Sequence, residues 1–424
     1  MRNILIIGSG GREHAIAWKL NNDDSNNMIY CLPGNGGTAQ FAKNIDIDVD
    51  NFELILEFVK GNNIDIIIVG PEGPLDKGIV DFFKNKDIKI FGPDKFSSQL
   101  ESSKLFARDF MAKNNIPQPN YYECSNIELA YSIKDKMGFP LVLKADGLAA
   151  GKGVIICNND REFTKGVDIM FNDEKFGDAC SKISIEECLL GEEVSVFAVC
   201  DGTDYVIIGD AQDHKRAFDG DLGPNTGGMG AYSPTLLCNE TLLDRVRCQI
   251  IEPTLKGMEE LGHPYVGFLY VGLMIVDGAP YVIEFNVRMG DPETQVVIPK
   301  ISSSLLSVFD NCLDGKLKDS EININDQFYV TVVLSSKGYP DCYEKGQNIN
   351  GISNIDNGFL FHAGTKLVGD SFLVSGGRVL NVIGAGDSLS EAIQSAYKRI
   401  EEINFEGMSY RTDIGRKGIK KEIV

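Results

Sequence analysis

The first hundred residues alternate short, continuously apolar runs with segments of helical period, and that alternation leaves few folds open. Residues 4–7, 28–32, 64–69 and 88–91 show little polar alternation, the mark of strands covered on both faces. Helical segments at 12–20 and near 52–60 separate them, the pattern of a parallel, doubly wound sheet. Gly8, Gly10, Gly34, Gly70 and Gly73 fall at strand ends, the edge where such sheets bind ligands. Gly92-Pro93 then marks a domain edge.

A chain of 424 residues exceeds one ordinary core, so further units are expected. A second unit opens with a basic helix over 104–113, a strand over 141–144, a glycine-rich loop and a strand over 154–157. Strands follow at 183–187, 194–199 and 205–208, then a polar, glycine-dense stretch over 212–230. A mixed helix over 242–260 precedes strands 268–276 and 281–285, joined by the tight-turn pair Asp277-Gly278. From about residue 327 come short strands, glycine turns and a late helix over 389–403.

Composition removes several function classes. The net charge of -20 and the lack of a basic tract exclude nucleic acid and anionic membranes as partners. No apolar run reaches the length of about 18 residues that a membrane span needs. The apolar start enters a glycine turn within five residues and reads as a first strand, not a secretory leader. Ten cysteines without a Cys-x-x-Cys pair favour a reducing, cytoplasmic setting. Four histidines support neither a histidine metal cluster nor a hydrolase triad. An acidic protein that binds a polyanion must place isolated cations well, since a unit pair at about 4 Å is worth roughly 4 kcal/mol at an effective dielectric of about 20.

Such cations occur where the chain is rich in glycine. Lys144 ends a strand, and Gly147, Gly151, Lys152 and Gly153 follow before the next strand, so backbone N–H groups can wrap phosphate oxygens beside fixed cations. The spacing is not that of a Walker loop. The run 183–193 sets a strand before a turn and two acids, Glu192 and Glu193, which suits an adenine edge and ribose hydroxyls, although a solvated acidic turn fits it too. In the strand around 282–288, Glu284, Asn286 and Arg288 share one face by alternation, giving two hard oxygen ligands and a cation. Magnesium on a nucleotide accepts so sparse a set because phosphates and water complete its shell. Asp213, His214, Lys215 and Arg216, with the glycine-dense residues Asn225, Thr226 and Gly227, have the chemistry to bind anions and close over a site. The N-terminal Gly8-Ser9-Gly10-Gly11-Arg12-Glu13-His14 departs from a dinucleotide fingerprint at Glu13, and lacks the acid expected near Tyr30 to Pro33, but suits a single phosphate.

These residues together resemble the phosphoribosylamine-glycine ligase family of the ATP-grasp superfamily. The likeness rests on the N-terminal Gly10 to His14, Pro33-Gly34-Asn35, Val69-Gly70-Pro71-Glu72, the Lys144 to Val154 loop, Gln212 to Arg216, Gly223 to Tyr232 and Gly290 to Gln295, with Phe361 to Lys366 and Gly376 to Leu380 in the tail. The resemblance implies an α/β multi-domain architecture: a doubly wound N-terminal domain over 1–100, an ATP-grasp core over 101–326 with a mobile lid over about 122–192, and a small α+β C-terminal domain over 327–424. It implies ligation of glycine to 5-phosphoribosylamine with ATP and Mg2+ or Mn2+, by a monomer or weak homo-oligomer. Lys104, Lys144, Gly147, Gly151, Lys152 and Gly153 would meet ATP phosphates; Glu186, Glu187 and Leu189 the adenine edge; Glu193 the ribose; Glu284 and Asn286 the metal. Arg288, Asp291, Lys215 and Asp213 would serve catalysis. Gly11, Arg12, Glu13, Asn35, Glu72, Asn225, Thr226 and Gly227 would hold substrate. The chain departs from the family with Val287 and Met289 around Arg288, and strand 268–276 holds no acid to extend the metal shell. Another ATP-grasp carboxylate-amine ligase, or a nucleotide-binding module without catalysis, stands as the alternative.

Overall fold

A computed structural model describes residues 1–148, 153–172, 182–352 and 358–422. The N-terminal strands β1 (Asn3–Gly8), β2 (Met28–Pro33), β3 (Lys43–Asn44), β4 (Ile66–Val69) and β5 (Ile90–Phe91) form one parallel sheet in the order β3-β2-β1-β4-β5. Ile4, Ile6, Ile66 and Ile68 share one face and Leu5, Ile7 and Ile67 the other; all are fully buried, which explains the lack of alternation. Strand order reverses at β1, so Gly8 and Gly10 stand at a topological switch point. The helix Gly11–Asp23 begins there with Arg12, Glu13 and His14 all buried.

Strands β6 (Tyr121–Cys124), β7 (Leu141–Ala145), β8 (Val154–Cys157) and β9 (Ile183–Glu187) make a separate antiparallel sheet in the order β6-β9-β7-β8. Helices Ile127–Met137 and Asp160–Phe171 cover it with Ala130, Ile133, Phe163, Val167 and Met170. Each starts at an asparagine cap, Asn126 accepting from the Leu129 N–H at 2.8 Å and Asn159 from the Glu162 N–H at 3.0 Å.

The remaining strands are β10 (Glu192–Asp201), β11 (Tyr205–Asp213), β12 (Arg216–Phe218), β13 (Leu222–Asn225), β14 (Gly230–Ser233), β15 (Val266–Val276), β16 (Ala279–Asn286), β17 (Phe328–Ser335), β18 (Asn348–Ile349), β19 (Leu360–His362), β20 (Thr365–Val368), β21 (Ser371–Val374) and β22 (Arg378–Gly386). Eight of them form one antiparallel sheet in the order β16-β15-β10-β11-β14-β17-β22-β19. The C-terminal strands are therefore not all short, and β17 and β22 extend the central sheet. Strand β14, which starts at the end of the polar, glycine-dense stretch, joins the two halves, and a hairpin of β12 and β13 within that stretch precedes it. The helix expected over 242–260 runs as Glu240–Val246 and Glu252–Glu260, joined by a π turn over Arg247–Ile251. Asp277 and Gly278 both have positive φ, 49° and 77°, as the tight turn between β15 and β16 requires.

One irregularity in β16 shapes the site. Glu284 pairs with Gly272 and Val282 with Leu273, so Ile283 is an extra residue and the ladder bulges there. No helix among the described residues is long and apolar enough to cross a membrane.

Candidate functional site

The carbonyls around the bulge are held by the cations beneath it. Arg108, from the helix Lys104–Lys113, donates to the Val282 carbonyl at 2.9 Å and the Ile283 carbonyl at 2.8 Å, and Lys144 donates to the latter at 2.8 Å. Arg108 also grips Glu186 with two bonds of 2.9 and 2.6 Å, while Lys144 lies 3.0 Å from the same carboxylate and the Ser184 hydroxyl donates at 3.0 Å. Burial alone would raise the Glu186 carboxyl, but Lys144 and Arg108 bring it to about 2. Burial and the Arg108 charge lower Lys144 in spite of Glu186. The Glu186 side chain is thus spent inside the protein, and only its backbone remains for a ligand. Glu187 reaches Asn120 at 2.8 Å.

Above this network lies a mixed-charge cluster. Lys215 stands 2.9 Å from Glu193 and 3.9 Å from Glu284. Burial favours the neutral Glu284 carboxyl, yet Lys215, Lys104, Lys144 and Arg288 together hold it at about 2. Lys215 lowers Glu193 in the same way, while burial raises Asp213. Burial works against the Lys215 ammonium, but Glu193, Asp213 and Glu284 outweigh it and raise its pKa. Asn286 is 7 % exposed, and its side chain makes no hydrogen bond among the described residues. One ionised carboxylate and one unpartnered buried amide are hard oxygen donors; among the described residues no group of three or more His, Cys, Asp or Glu side chains could cage a metal. The set fits a divalent ion that arrives on nucleotide phosphates, not one held by protein alone.

Arg288 lies beyond the end of β16, because the ladder stops at the Asn286–Tyr270 rung, so strand alternation does not set its direction. Two acids set it instead: Glu101 accepts from it at 2.6 Å and Glu72 at 3.1 Å. Glu101 also accepts the Val287 N–H at 2.8 Å. Burial raises Glu72, but Arg288 and Arg12 bring it to about 2. Asp291 accepts the Arg12 N–H at 3.2 Å and the Gln295 amide at 2.9 Å, and its ionised form is favoured against burial by Arg378 and Arg12. At the helix start, a Cβ on Gly11 would overlap the buried amides of Asn381 and Gln295, which would have to shift. Behind Glu284, the Ser195 hydroxyl donates to Tyr270 at 2.7 Å and the Tyr270 hydroxyl to Glu293 at 3.0 Å, with burial and Asp213 raising the Glu293 carboxyl.

A cavity of about 360 Å³ opens beside Asp291, between the turn at Ser9-Gly10, the loop Pro33-Gly34-Asn35, and Ala363, Gly364, Thr365, Ser375, Gly376 and Arg378 of the C-terminal region. Asn35 borders it, but its amide is committed: it donates to the Ser9 carbonyl at 2.9 Å and the His362 carbonyl at 2.8 Å, and accepts from Gly37 and Thr38. Glu13 likewise turns inward, onto the Gly10 N–H at 2.6 Å and the Arg12 guanidinium. The glycine-dense segment is firmly tied: Thr226 bonds the Lys215 carbonyl through its N–H at 2.8 Å and its hydroxyl at 2.9 Å, Asn225 faces Arg216 across the hairpin, and Gly227 accepts from Arg378 at 2.7 Å.

The fold thus brings Lys104, Lys144, Glu193, Asp213, Lys215, Glu284, Asn286 and Arg288 into one neighbourhood, with Gly11, Arg12, Glu72 and Asp291 beside it. Gly147 and Gly153 flank it; Gly151 and Lys152 lie outside the described residues. Leu189 is partly exposed, and no hydrogen bond to its N–H is found among the described residues. Sequence reading did not single out Arg108, Glu101, Tyr270, Glu293 or Arg378. Arg108 lies in a helix read only as basic, and its partner is 78 residues away. Glu293 and Arg378 stood within quoted motifs but carried no local sign of their roles.

Three family models cover this arrangement in order. Residues 2–101 match the N domain of phosphoribosylglycinamide synthetase, 102–294 its ATP-grasp (A) domain and 329–417 its C domain. This chain belongs to the phosphoribosylglycinamide synthetase family. Among relatives of the family, the phosphoribosylamine–glycine ligase of Ralstonia nicotianae is 46% identical over 420 residues, 99% of this chain and 100% of that one. The enzyme so named in Clostridium acetobutylicum is 44% identical over 413 residues, covering 97% and 99%. The crystal structure of the family member from Thermotoga maritima, also a phosphoribosylamine–glycine ligase, superposes with a TM-score of 0.83 at 34% identity, covering 97% of this chain and 99% of that one. A biotin carboxylase domain from Hydrogenobacter thermophilus reaches a TM-score of 0.74 at 16% identity, which speaks for the fold alone.

Proposed function

We propose that this chain, an ATP-dependent ligase, joins glycine to the amine of 5-phosphoribosylamine and yields glycinamide ribonucleotide, ADP and phosphate. The observation that carries the reading is that the charges of Lys215, Lys104, Lys144 and Arg288 all act on Glu284, beside an Asn286 whose side chain has no hydrogen-bond partner among the described residues, with the cavity at Asp291 nearby. Four cations around one carboxylate suit a polyphosphate, and the cavity gives a second substrate its place. The names of the relatives supply the substrates.

In this reading Lys104 and Lys144, with Gly147, Gly151, Lys152 and Gly153, serve the ATP phosphates, and the four-stranded sheet β6 to β9 is the lid. The backbone at Glu186 and Leu189 meets adenine, and Glu193 the ribose. Glu284 and Asn286 hold Mg2+ or Mn2+, which neutralises charge on the phosphates. Glycine lies at Arg288, whose guanidinium Glu72 and Glu101 aim. A carboxylate is a poor electrophile, so a glycine carboxylate oxygen attacks the γ-phosphorus and ADP leaves. The amine of phosphoribosylamine then attacks the carbonyl of glycyl phosphate, and phosphate departs. Phosphoribosylamine lies in the cavity, its phosphate near Arg378 and the start of the helix Gly11–Asp23. No protein nucleophile is needed; alignment and charge placement lower the barrier. The nine described cysteines are unpaired, in keeping with the cytoplasm, and the active unit in this reading is a monomer or weak homo-oligomer.

The test is to incubate the protein with ATP, Mg2+, glycine and freshly generated phosphoribosylamine and to follow ADP and the ligated product by mass. Product with ADP, dependent on glycine, is expected. ADP formed without any need for glycine overturns the reading.

A further inference from the structure

Residues 411–418 belong to none of the motifs that carry the ATP reading, yet they grip the loop that bears Lys215. That loop is polar and glycine-dense, so apolar packing does little to fix it. Hydrogen bonds do so instead, and besides those from Thr226 and Arg378 a whole set comes from the C-terminal segment. Arg411, 2 % exposed, donates to the Arg216 carbonyl at 3.0 Å and to Asp221 at 2.8 Å, and is itself held by Asp413 at 2.8 and 2.9 Å. The Thr412 N–H donates to Asp219 at 2.8 Å, and the Gly220 N–H to Asp413 at 2.8 Å. The Gly415 N–H donates to His214 Nε2 at 3.3 Å. The segment is anchored to the helix Leu389–Ile400 by Tyr397, whose hydroxyl donates to the Arg411 carbonyl at 2.8 Å and accepts the Ile414 N–H at 3.1 Å.

The last link reaches the site itself. Lys417 Nζ donates to the Asp213 carbonyl at 2.6 Å, two residues before Lys215. Its charge acts on Asp213 and Glu193, the acids that also surround Lys215. An acidic group that must receive ATP repels it unless cations offset the charge, and Lys417 adds one from a distant part of the chain.

We propose that Lys417 is a positioning residue for ATP: by holding the Asp213 carbonyl and offsetting Asp213 and Glu193, it keeps Lys215 in register with the nucleotide. The inference rests on the ATP reading of this site. A loop brace without a charge near the nucleotide would affect stability and every substrate alike. The charges that act most on Lys417 are those of Asp213, Asp221, Glu193 and Lys215, not those of Asp291 or Arg378 at the cavity.

The full-length K417M, K417Q and K417R variants test this, with KM for each substrate, thermal midpoint, and direct titration of a magnesium-loaded non-hydrolysable ATP analogue. K417M is expected to raise the ATP KM and the analogue Kd about tenfold, with the KM values for glycine and phosphoribosylamine within about twofold of wild type. K417Q keeps a donor without the charge and falls between K417M and wild type, and K417R restores ATP affinity. Unchanged analogue affinity in K417M overturns the proposal, as does a rise in all three KM values that follows a lowered thermal midpoint. A wild-type chain that does not bind the analogue overturns the ATP reading itself, whereas wild-type binding beside an unaffected K417M overturns Lys417 alone.

Discussion

Replacing Glu186 by glutamine removes one negative charge from a buried group that contains two cations. Glu186 is 1 % exposed and is shared by Arg108 at 2.6 Å, Lys144 at 3.0 Å and the Ser184 hydroxyl at 3.0 Å. Its carboxyl is held at about 2 instead of 4.5, which corresponds to about 3 kcal/mol in favour of the ionised form. Removing one partner of a buried pair costs about 3–5 kcal/mol, since the other charge is left without compensation. An amide can accept only one of the Arg108 bonds well, so Glu186→Gln should lose about 3 kcal/mol in urea unfolding at pH 7. The sign with pH follows: a carboxyl depressed on folding stabilises fully above its unfolded value of 4.5 and ceases to do so as pH falls toward about 2. The gap between wild type and variant should therefore narrow over that interval. Lys144, released from its counter-ion, should also hold ATP less well. A loss below about 0.5 kcal/mol at pH 7, or a gap that widens on acidification, refutes the reasoning.

Arg288→Ala should lower kcat/KM by about 2–4 kcal/mol of transition-state stabilisation, by analogy with removal of one oxyanion donor; near wild-type turnover removes Arg288 from the mechanism. Asp210 is buried and accepts the Thr235 N–H, and burial raises it to about 7. The unfolded chain ionises first, so this group's contribution to stability is greatest below pH 3.8 and falls as pH rises through about 7, by at most about 4 kcal/mol. Asp210→Asn should flatten that fall in thermal midpoints between pH 4 and pH 8, and an unchanged slope would count against it.

The N-terminal sheet was legible because its apolar runs are short, rich in isoleucine and end in glycine turns, which favours strands covered on both faces over buried helices. Lys144, Glu284 and Asn286 stood out as candidates because glycine spacing and strand alternation act over a few residues, whereas Lys104 was singled out only by the family resemblance. The bulge at Ile283 and the turn that carries Arg288 were not, since the partners that impose them, Gly272, Glu101 and Glu72, lie far along the chain. Glycine density hid β14, whose place in the sheet is decided by its neighbours β11 and β17. Asn35 and Glu13 illustrate the reverse: their motif was plain, but their polar atoms are spent on backbone groups from other elements.

The most direct measurement of the central claim uses glycine labelled with 18O in both carboxylate oxygens. Activation as glycyl phosphate predicts that one labelled oxygen per turnover appears in inorganic phosphate and one stays in the amide of the product. Turnover that yields unlabelled phosphate would contradict the account.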